Sequence, residues 1–436
     1  MPPAVRLPHT VQSLRLNMRQ KDFVFKAGRE LGETFRIHGA IGEEVVMTSH
    51  PDHARSLFTA DPELAPSLTG ESPLRPIVGP NSVLTLLGPA HMRQRKLLLP
   101  RFHGESVERY TAMIAEVAEK EIDSWPLGTP FRLGPAMQAI TLDVIMSGIF
   151  GVEGVPAPGT PERELRDAIR SAVRVAGSPL GQVLELLNIG RREVTRVGRR
   201  FIDALERPVY AAIAARRAAG EEGCSGEDVF SMLLAARYED GEPMSDQELR
   251  DELLTLVLAG HETTANSLSW TFERLVRTPH AYDRLREEVR GEGAGADYVE
   301  ATIHESMRAR PVIPIVGRRV TVPWRLGPWR VPAQTPVLLS ILLLHHREDL
   351  YPRASAFVPE RFLGVKPGTY TWIPFGGGIR RCLGATLAMA EQRVVLRAIA
   401  RRTDLEAADP RPERPRHRNV TMIPADGARV IMRARN

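Results

Sequence analysis

Cysteine is almost absent from this chain: its 436 residues include two, Cys224 and Cys382. Two cysteines in so long a chain cannot build a disulfide framework, and their scarcity fits a reducing compartment. Cys224 lies in the polar stretch GEEGCSGED, where a surface position is expected. Long apolar runs are missing as well. The longest, residues 337–344, is too short to span a bilayer and contains Ser340. The N-terminal stretch MPPAVRLPHTVQ has no apolar segment of the signal-peptide kind, and no membrane anchor is expected there. There is no basic block interleaved with aromatics and no zinc-finger spacing, which argues against a nucleic-acid partner. No repeat, low-complexity segment or dividing linker is seen. A soluble, cytoplasmic protein is the expectation.

The composition is that of a globular protein, with 43% hydrophobic and 25% charged residues. The length suits one large domain or two to three ordinary ones. Net charge is +5 and the pI about 9.4, an excess that leans toward acidic partners.

The most informative stretch is residues 375–384, FGGGIRRCLG. A thiolate is a soft, strongly donating metal ligand. Glycines on both sides of Cys382 free the backbone to lie flat against a bulky partner. Arg380 can meet an anionic edge of that partner, and Phe375 can shield the sulfur from water. A flat, anionic, iron-bearing partner is haem. A glycine-rich turn with an incidental cysteine is the plainer account, but the spacing F-x-x-G-x-R-x-C-x-G favours a ligand. That spacing resembles the haem-binding signature of the cytochrome P450 family of haem-thiolate monooxygenases, matched at Phe375, Gly378, Arg380, Cys382 and Gly384.

Further stretches carry the resemblance along the chain. Residues 89–98, PAHMRQRKLL, set His91 and Arg95 four apart on one helix face. Alone they would be a solvated basic face; the resemblance implies that they hold the haem propionates. Ser245 and Glu248 form a capping box that opens a long helix reaching about residue 277. Its segment LLTLVL is apolar all round, so the helix should run through the interior. AGHETT follows, where Ala259 and Gly260 open space and polar groups are costly unless used. A zinc His-Glu-x-x-His site is excluded, since Ala265 stands in place of the second histidine. The stretch matches the family's distal helix, with Ala259 against the cofactor, Glu262 as the acid and Thr263 as the hydroxyl of a proton relay. Thr264 is expected to shape the pocket. Glu305 and Arg308 match the family's Glu-x-x-Arg, and Pro359-Glu360-Arg361-Phe362 its later partner. The resemblance implies a structural triad of Glu305, Arg308 and Arg361. Arg318, with Arg319 beside it, lies where a further propionate arginine is often found, and residues 311–316 would line the pocket with apolar groups.

The resulting expectation is a mainly α, single-domain cytochrome P450 fold with small β-sheets, spanning residues 1–436 and enclosing one haem b (iron protoporphyrin IX). Its β-rich regions are placed at about 34–48, 318–344 and 419–433. Residues 62–79, rich in Pro, Gly and Ser, are expected to be a surface loop, with a lid over the substrate cavity as the sharper reading. Ser49 is expected to cap the helix beginning near Pro51, and the run 337–343 to be a strand. Residues 419–433 are expected to form one hairpin with Asp426-Gly427 in or near its turn, with Met422 and Ile423 at a substrate-touching tip. The implied reaction inserts one oxygen atom of O2 into a lipophilic small molecule. Electrons would come from NAD(P)H through a separate ferredoxin or flavodoxin and its reductase, and Lys96 and Arg381 are the candidate docking cations. Two rival readings are a haem-thiolate peroxygenase or isomerase, and a non-catalytic haem- or ligand-binding protein. Neither needs the Glu262-Thr263 pair, which is intact.

Overall fold

The computed structural model describes residues 1–39, 42–102, 105–152, 154–176, 196–239, 241–291 and 297–435. The chain gathers into two compact units. One comprises Met1–Leu68, Ala118–Met137 and Thr264–Asn436, the other Thr69–Val117 and Gln138–Thr263.

The first unit holds the sheets. Strands β1 (Thr34–His38) and β2 (Glu44–Thr48) form an antiparallel hairpin with Thr34 opposite Thr48. Strands β3 (Pro130–Arg132), β4 (Ile315–Val320), β5 (Trp324–Leu326), β6 (Trp329–Val331) and β7 (Thr335–Ser340) follow. β7 runs parallel to β2 and antiparallel to β4, giving the order β1-β2-β7-β4. Strand alternation explains why this sheet is buried on both faces. Phe35, Ile37, Val45 and Met47 pack with Phe23, Val24 and Ala27 of the helix Gln20–Leu31. Val46, Val320 and Val337 pack with Leu57 of the helix Pro51–Phe58.

The remaining strands are β8 (Thr403–Ala407), β9 (Pro415–Arg418), β10 (Thr421–Pro424) and β11 (Arg429–Arg435). Residues 419–433 are therefore not one hairpin. β10 pairs with β9, while β11 pairs with β3 and β8 in another sheet. Asn419, at φ 53°, supplies the left-handed position between β9 and β10, and Gly427 and Ala428, at φ 78° and 54°, turn the chain away after β10. Met422 and Ile423 are not at an exposed tip: they are 0% and 5% exposed. The Met422 N–H donates to the Val312 carbonyl at 2.7 Å, and its own carbonyl accepts from Trp270 Nε1 at 3.0 Å.

Other expectations change locally. His50, not Ser49, caps the Pro51–Phe58 helix, its Nδ1 accepting the Asp52 N–H at 3.1 Å. The apolar run after Pro336 is a strand only to Ser340, whose hydroxyl accepts the Leu343 N–H and starts a turn of helix, Ile341–Leu344. Residues 62–79 contain a 3-10 turn, Leu68–Glu71, and a helical turn, Arg75–Val78. An additional helix, His9–Met18, precedes Gln20–Leu31. On the helix Arg196–Ala218, Arg199 pairs with Asp203 and Glu206.

The second unit is helical. The helix Leu133–Phe150, which begins in the first unit, is long and apolar enough to cross a membrane, but 61% of it is buried. Its Asp143 pairs with Arg166 at 2.7 Å. Gly134, Pro135, Gln138 and Thr141 interrupt its apolar residues, so it contains no long unbroken apolar run. The helix Asp246–Leu275 opens with the capping box: the Glu248 N–H donates to Ser245 Oγ at 3.2 Å and the Ser245 N–H to Glu248 Oε2 at 2.9 Å.

Candidate active site

In the first unit, the cysteine loop is shaped from beneath by Phe58. A Cβ on Gly377 would stand 2.2 Å from the Phe58 ring, and one on Gly378 would stand 2.1 Å from the Phe58 carbonyl oxygen. Gly376 and Gly378 take φ values of 66° and 64°, open to glycine at little cost. The loop then makes a 3-10 turn, Gly378–Arg380, and the Cys382 N–H donates to the Phe375 carbonyl at 2.9 Å. Phe375 meets Trp372 edge-on at 6.1 Å, and Trp372 donates its indole N–H to the His304 carbonyl at 3.0 Å. Cys382 and Arg381 are exposed and Arg380 is half-buried. Gly384 differs from its neighbours. Its φ is −85°, and an added Cβ would find no protein atom within 4 Å. The protein alone does not require glycine there.

Arg318 lies on β4 and is 7% exposed. It donates to the Gly317 carbonyl at 3.0 Å and to Ser67 Oγ at 3.4 Å, and its guanidinium carbon stands 5.8 Å from the Phe58 ring centroid. No carboxylate among the described residues pairs with it, and burial lowers its pKa to about 10. A buried cation without a counter-ion is costly, so this position calls for an anion. Arg319, on the other face of the strand, pairs with Glu43 at 2.7 Å.

Glu305 and Arg308 are fully buried and meet through two bonds, at 2.6 and 2.8 Å. Arg308 also donates to the carbonyls of His345, Ala354 and Ala356. Arg361 Nε stands 3.1 Å from Glu305 Oε2, an ion-pair contact, and the Val358 N–H donates to Glu305 Oε1 at 2.8 Å. The network ties the helix Asp297–Ala309 to the Pro359–Phe362 turn and the segment before it. Removing one member of such a buried pair costs roughly 3–5 kcal/mol.

In the second unit, the helix Gly88–Leu98 carries His91, which is 2% exposed, and half-buried Arg95 one turn later; Lys96 faces solvent. On the Asp246–Leu275 helix, Ala259 is exposed and Gly260, Glu262 and Thr263 are half-buried, whereas residues 251–257 are buried. A Cβ on Gly260 would stand 2.6 Å from Ile145 Cδ1, so that glycine admits the neighbouring helix. Thr263 Oγ1 donates to the Ala259 carbonyl at 2.7 Å, and Thr141 Oγ1 donates to the His261 carbonyl at 2.8 Å. Two carbonyls on this stretch thus accept hydroxyls, one from four residues later on the same helix and one from the helix Leu133–Phe150.

Phe58 could not be found from sequence, because its contacts with the cysteine loop and with Arg318 are long-range. Asp251 and Glu252 were within reach: two consecutive acids just ahead of LLTLVL, on a helix expected to be interior.

Comparison with known proteins agrees with this geometry. The cytochrome P450 family model matches residues 1–432. Cytochrome P450 138 of Mycobacterium tuberculosis is 37% identical over 444 aligned residues, covering 100% of this chain and 97% of the relative. Cytochrome P450 135B1 of the same organism is 36% identical, covering 100% of this chain and 92% of the relative. The solved structure of a retinoic acid-bound cyanobacterial CYP120A1 superposes with a TM-score of 0.79 at 23% identity, covering 100% and 99% of the two chains. The fold is that of the haem-thiolate monooxygenases. The chain belongs to the cytochrome P450 family, whose cofactor is haem b. The residues fit that group: a thiol on a glycine loop, a buried arginine that no carboxylate among the described residues balances, and a glycine the protein alone does not require.

Proposed function

We propose that this monooxygenase acts on a lipophilic small molecule, with Cys382 as the iron ligand and electrons delivered from NAD(P)H through a separate ferredoxin or flavodoxin and its reductase. The observation that carries the site reading is the cysteine loop, closed on Phe58 through glycines, with Arg318 buried over that same ring and paired with no carboxylate among the described residues. Haem held through a thiolate supplies dioxygen activation, with one oxygen atom entering the substrate and the other leaving as water.

In this reading Arg318, His91, Arg95 and Arg380 hold the propionates, and Phe375 shields the sulfur. Ala259 leaves room beside the cofactor. The Thr263 hydroxyl proton is committed to the Ala259 carbonyl, so the lone pairs of Oγ1 are what it offers; it holds a proton-bearing partner instead of giving up its own proton. Glu262, one residue before, is the acid that passes protons inward. Glu305, Arg308 and Arg361 have a structural role. The apolar character of residues 311–316 supports a lipophilic substrate, and the scarcity of cysteine supports a cytoplasmic location.

The test is reconstitution with haem, followed by turnover with O2, surrogate redox proteins and a library of lipophilic compounds. The reduced carbonyl complex should show the strongly red-shifted Soret band of thiolate ligation. Cys382→Ser should lose that band and Cys224→Ser should keep it; the opposite result would reject Cys382 as the ligand. Product formed with peroxide but never with O2 and reductant would favour the peroxygenase reading.

A further inference from the structure

Asp251 and Glu252 sit side by side on the Asp246–Leu275 helix and are 1% and 0% exposed. Both reach the same distant segment, about 170 residues earlier in the chain. The Asn81 N–H donates to Asp251 Oδ2 at 2.9 Å, and the Val83 N–H donates to Glu252 Oε1 at 2.7 Å. Between them, the hydroxyls of Ser82 and Thr255 meet at 2.6 Å. Gly79, at φ 87°, admits the first acid: a Cβ there would stand 2.1 Å from Asp251 Oδ1. Thr85 Oγ1 closes the turn by donating to the Gly79 carbonyl at 2.7 Å. The Gly88–Leu98 helix, with His91 and Arg95, follows directly.

The two acids are balanced differently. Arg250 lies 2.8 Å from Asp251 Oδ1 and 2.7 Å from Glu206 Oε1. No cation among the described residues pairs with Glu252. Its titratable neighbours are Asp251 and Glu248 on its own helix, and Tyr238. Arg93, on the facing helix, is engaged with the Tyr238 ring at 4.2 Å. Gln94 of that helix, 2% exposed, lies against the Glu252 carboxyl, and two buried oxygens, Gln94 Oε1 and Glu252 Oε2, have no partner. A carboxylate enclosed in this way would be a bare charge, whereas a carboxylic acid accepts from Val83 and has an O–H to give to Gln94 Oε1.

We propose that Glu252 is a positioning residue that works as the neutral acid. With Asp251 it staples residues 79–85 to the long helix and, through Gln94, sets the helix that carries His91 and Arg95. Its consequence for the cofactor rests on the reading of His91 and Arg95 given above; the staple itself does not.

Burial, and then repulsion from Asp251, raises the Glu252 pKa from 4.5 to about 8. When residues 79–85 lift away and admit water, the group returns toward its ordinary value. The stapled form therefore binds the extra proton. Its stability is full below the ordinary carboxyl range, declines as pH rises toward about 8, and levels off above that.

Hydrogen exchange of the haem-loaded enzyme, corrected for intrinsic rates, reads this directly. Protection of residues 79–87 in the wild type should fall by up to about tenfold per pH unit between roughly pH 5 and 8 and then flatten. Glu252→Gln, neutral at every pH and able to make both hydrogen bonds, should keep the protection and lose the slope. Glu252→Ala should lower protection at every pH. A Gln variant whose profile runs parallel to the wild type, or one that loses protection outright, overturns the proposal. Haem retention separates the two readings. If Glu252→Ala loosens residues 79–87 yet holds haem as tightly as the wild type, the staple stands and the role given to His91 and Arg95 falls.

Discussion

Arg318 stands over the ring of Phe58, 5.8 Å from guanidinium carbon to ring centroid, and Phe58 is also the residue on which Gly377 and Gly378 close. One aromatic side chain therefore links a buried cation, paired with no carboxylate among the described residues, to the loop that carries Cys382. The cation–π contact offsets only about 0.5–2 kcal/mol, less than the several kcal/mol that burying an unpaired charge costs. The remainder has to come from a bound anion.

Arg318→Leu tests this. Without haem, the variant should be at least as stable as the wild type, because a desolvated charge has been replaced by an apolar group. With haem, it should release the cofactor faster, by roughly ten- to a hundredfold for the loss of one charged hydrogen bond of about 1.5–3 kcal/mol. The Arg318 pKa of about 10 keeps it charged at neutral pH, so the effect should not vary between about pH 6 and 8. Haem transfer to an acceptor protein measures the rate, and a wild-type rate would remove Arg318 from the set of propionate ligands.

The glycines of the cysteine loop divide into two kinds. Gly378→Ala places a methyl 2.1 Å from a backbone oxygen at a φ of 64°, and should destabilise the haem-free protein by roughly 1–3 kcal/mol. Gly384→Ala meets neither strain nor a neighbour, and should leave the haem-free protein unchanged while weakening haem binding. Denaturant titration of both variants, with and without haem, checks this. Equal destabilisation of the two haem-free proteins would mean that Gly384 serves the fold and not the cofactor.

The contrast between these glycines shows what the sequence could and could not reveal. Short motifs matched to the family's pattern pointed to the loop, the Glu305-x-x-Arg308 pair and the Ala259–Thr264 stretch, because each depends on residues close together in the chain. The long helix Asp246–Leu275, announced by its capping box, was legible for the same reason. Strand partners were not. Asp426-Gly427 has the composition of a hairpin turn, but β10 finds its partner in β9 and β11 finds its own in β3 and β8, and pairing over long separations leaves no local mark. Arg318 and Arg319 are indistinguishable by type. Only the alternation of β4, which presents one to Phe58 and the other to Glu43, separates them.

Thr263 gives a prediction about coupling. Its hydroxyl is anchored at 2.7 Å on the Ala259 carbonyl, so the direction of its lone pairs is fixed by the helix. Thr263→Ser keeps that anchor and should keep most of the coupling between NAD(P)H consumption and product. Thr263→Ala removes it and should divert reducing equivalents to peroxide, with haem and substrate still bound. Peroxide yield per NAD(P)H decides the matter. Equal yields from the Ala variant and the wild type would assign the proton relay to other groups.

The electron donor is open to a test by ionic strength. Lys96 and Arg381 are both exposed, each beside a residue assigned to the cofactor: Lys96 next to Arg95, and Arg381 between Arg380 and Cys382. A net charge of +5 favours an acidic donor, and charge complementarity raises association rates more than affinities. Reduction by an acidic ferredoxin should therefore slow as salt shortens the Debye length to about 8 Å at physiological strength. Reversing Lys96 and Arg381 together to Glu should lower the association rate by roughly tenfold or more at low salt, with the haem spectrum intact. At high salt the variant and the wild type should converge, because screened charges no longer steer. Stopped-flow reduction at both ionic strengths measures this, and a double variant reduced as fast as the wild type at low salt would remove Lys96 and Arg381 from the docking site.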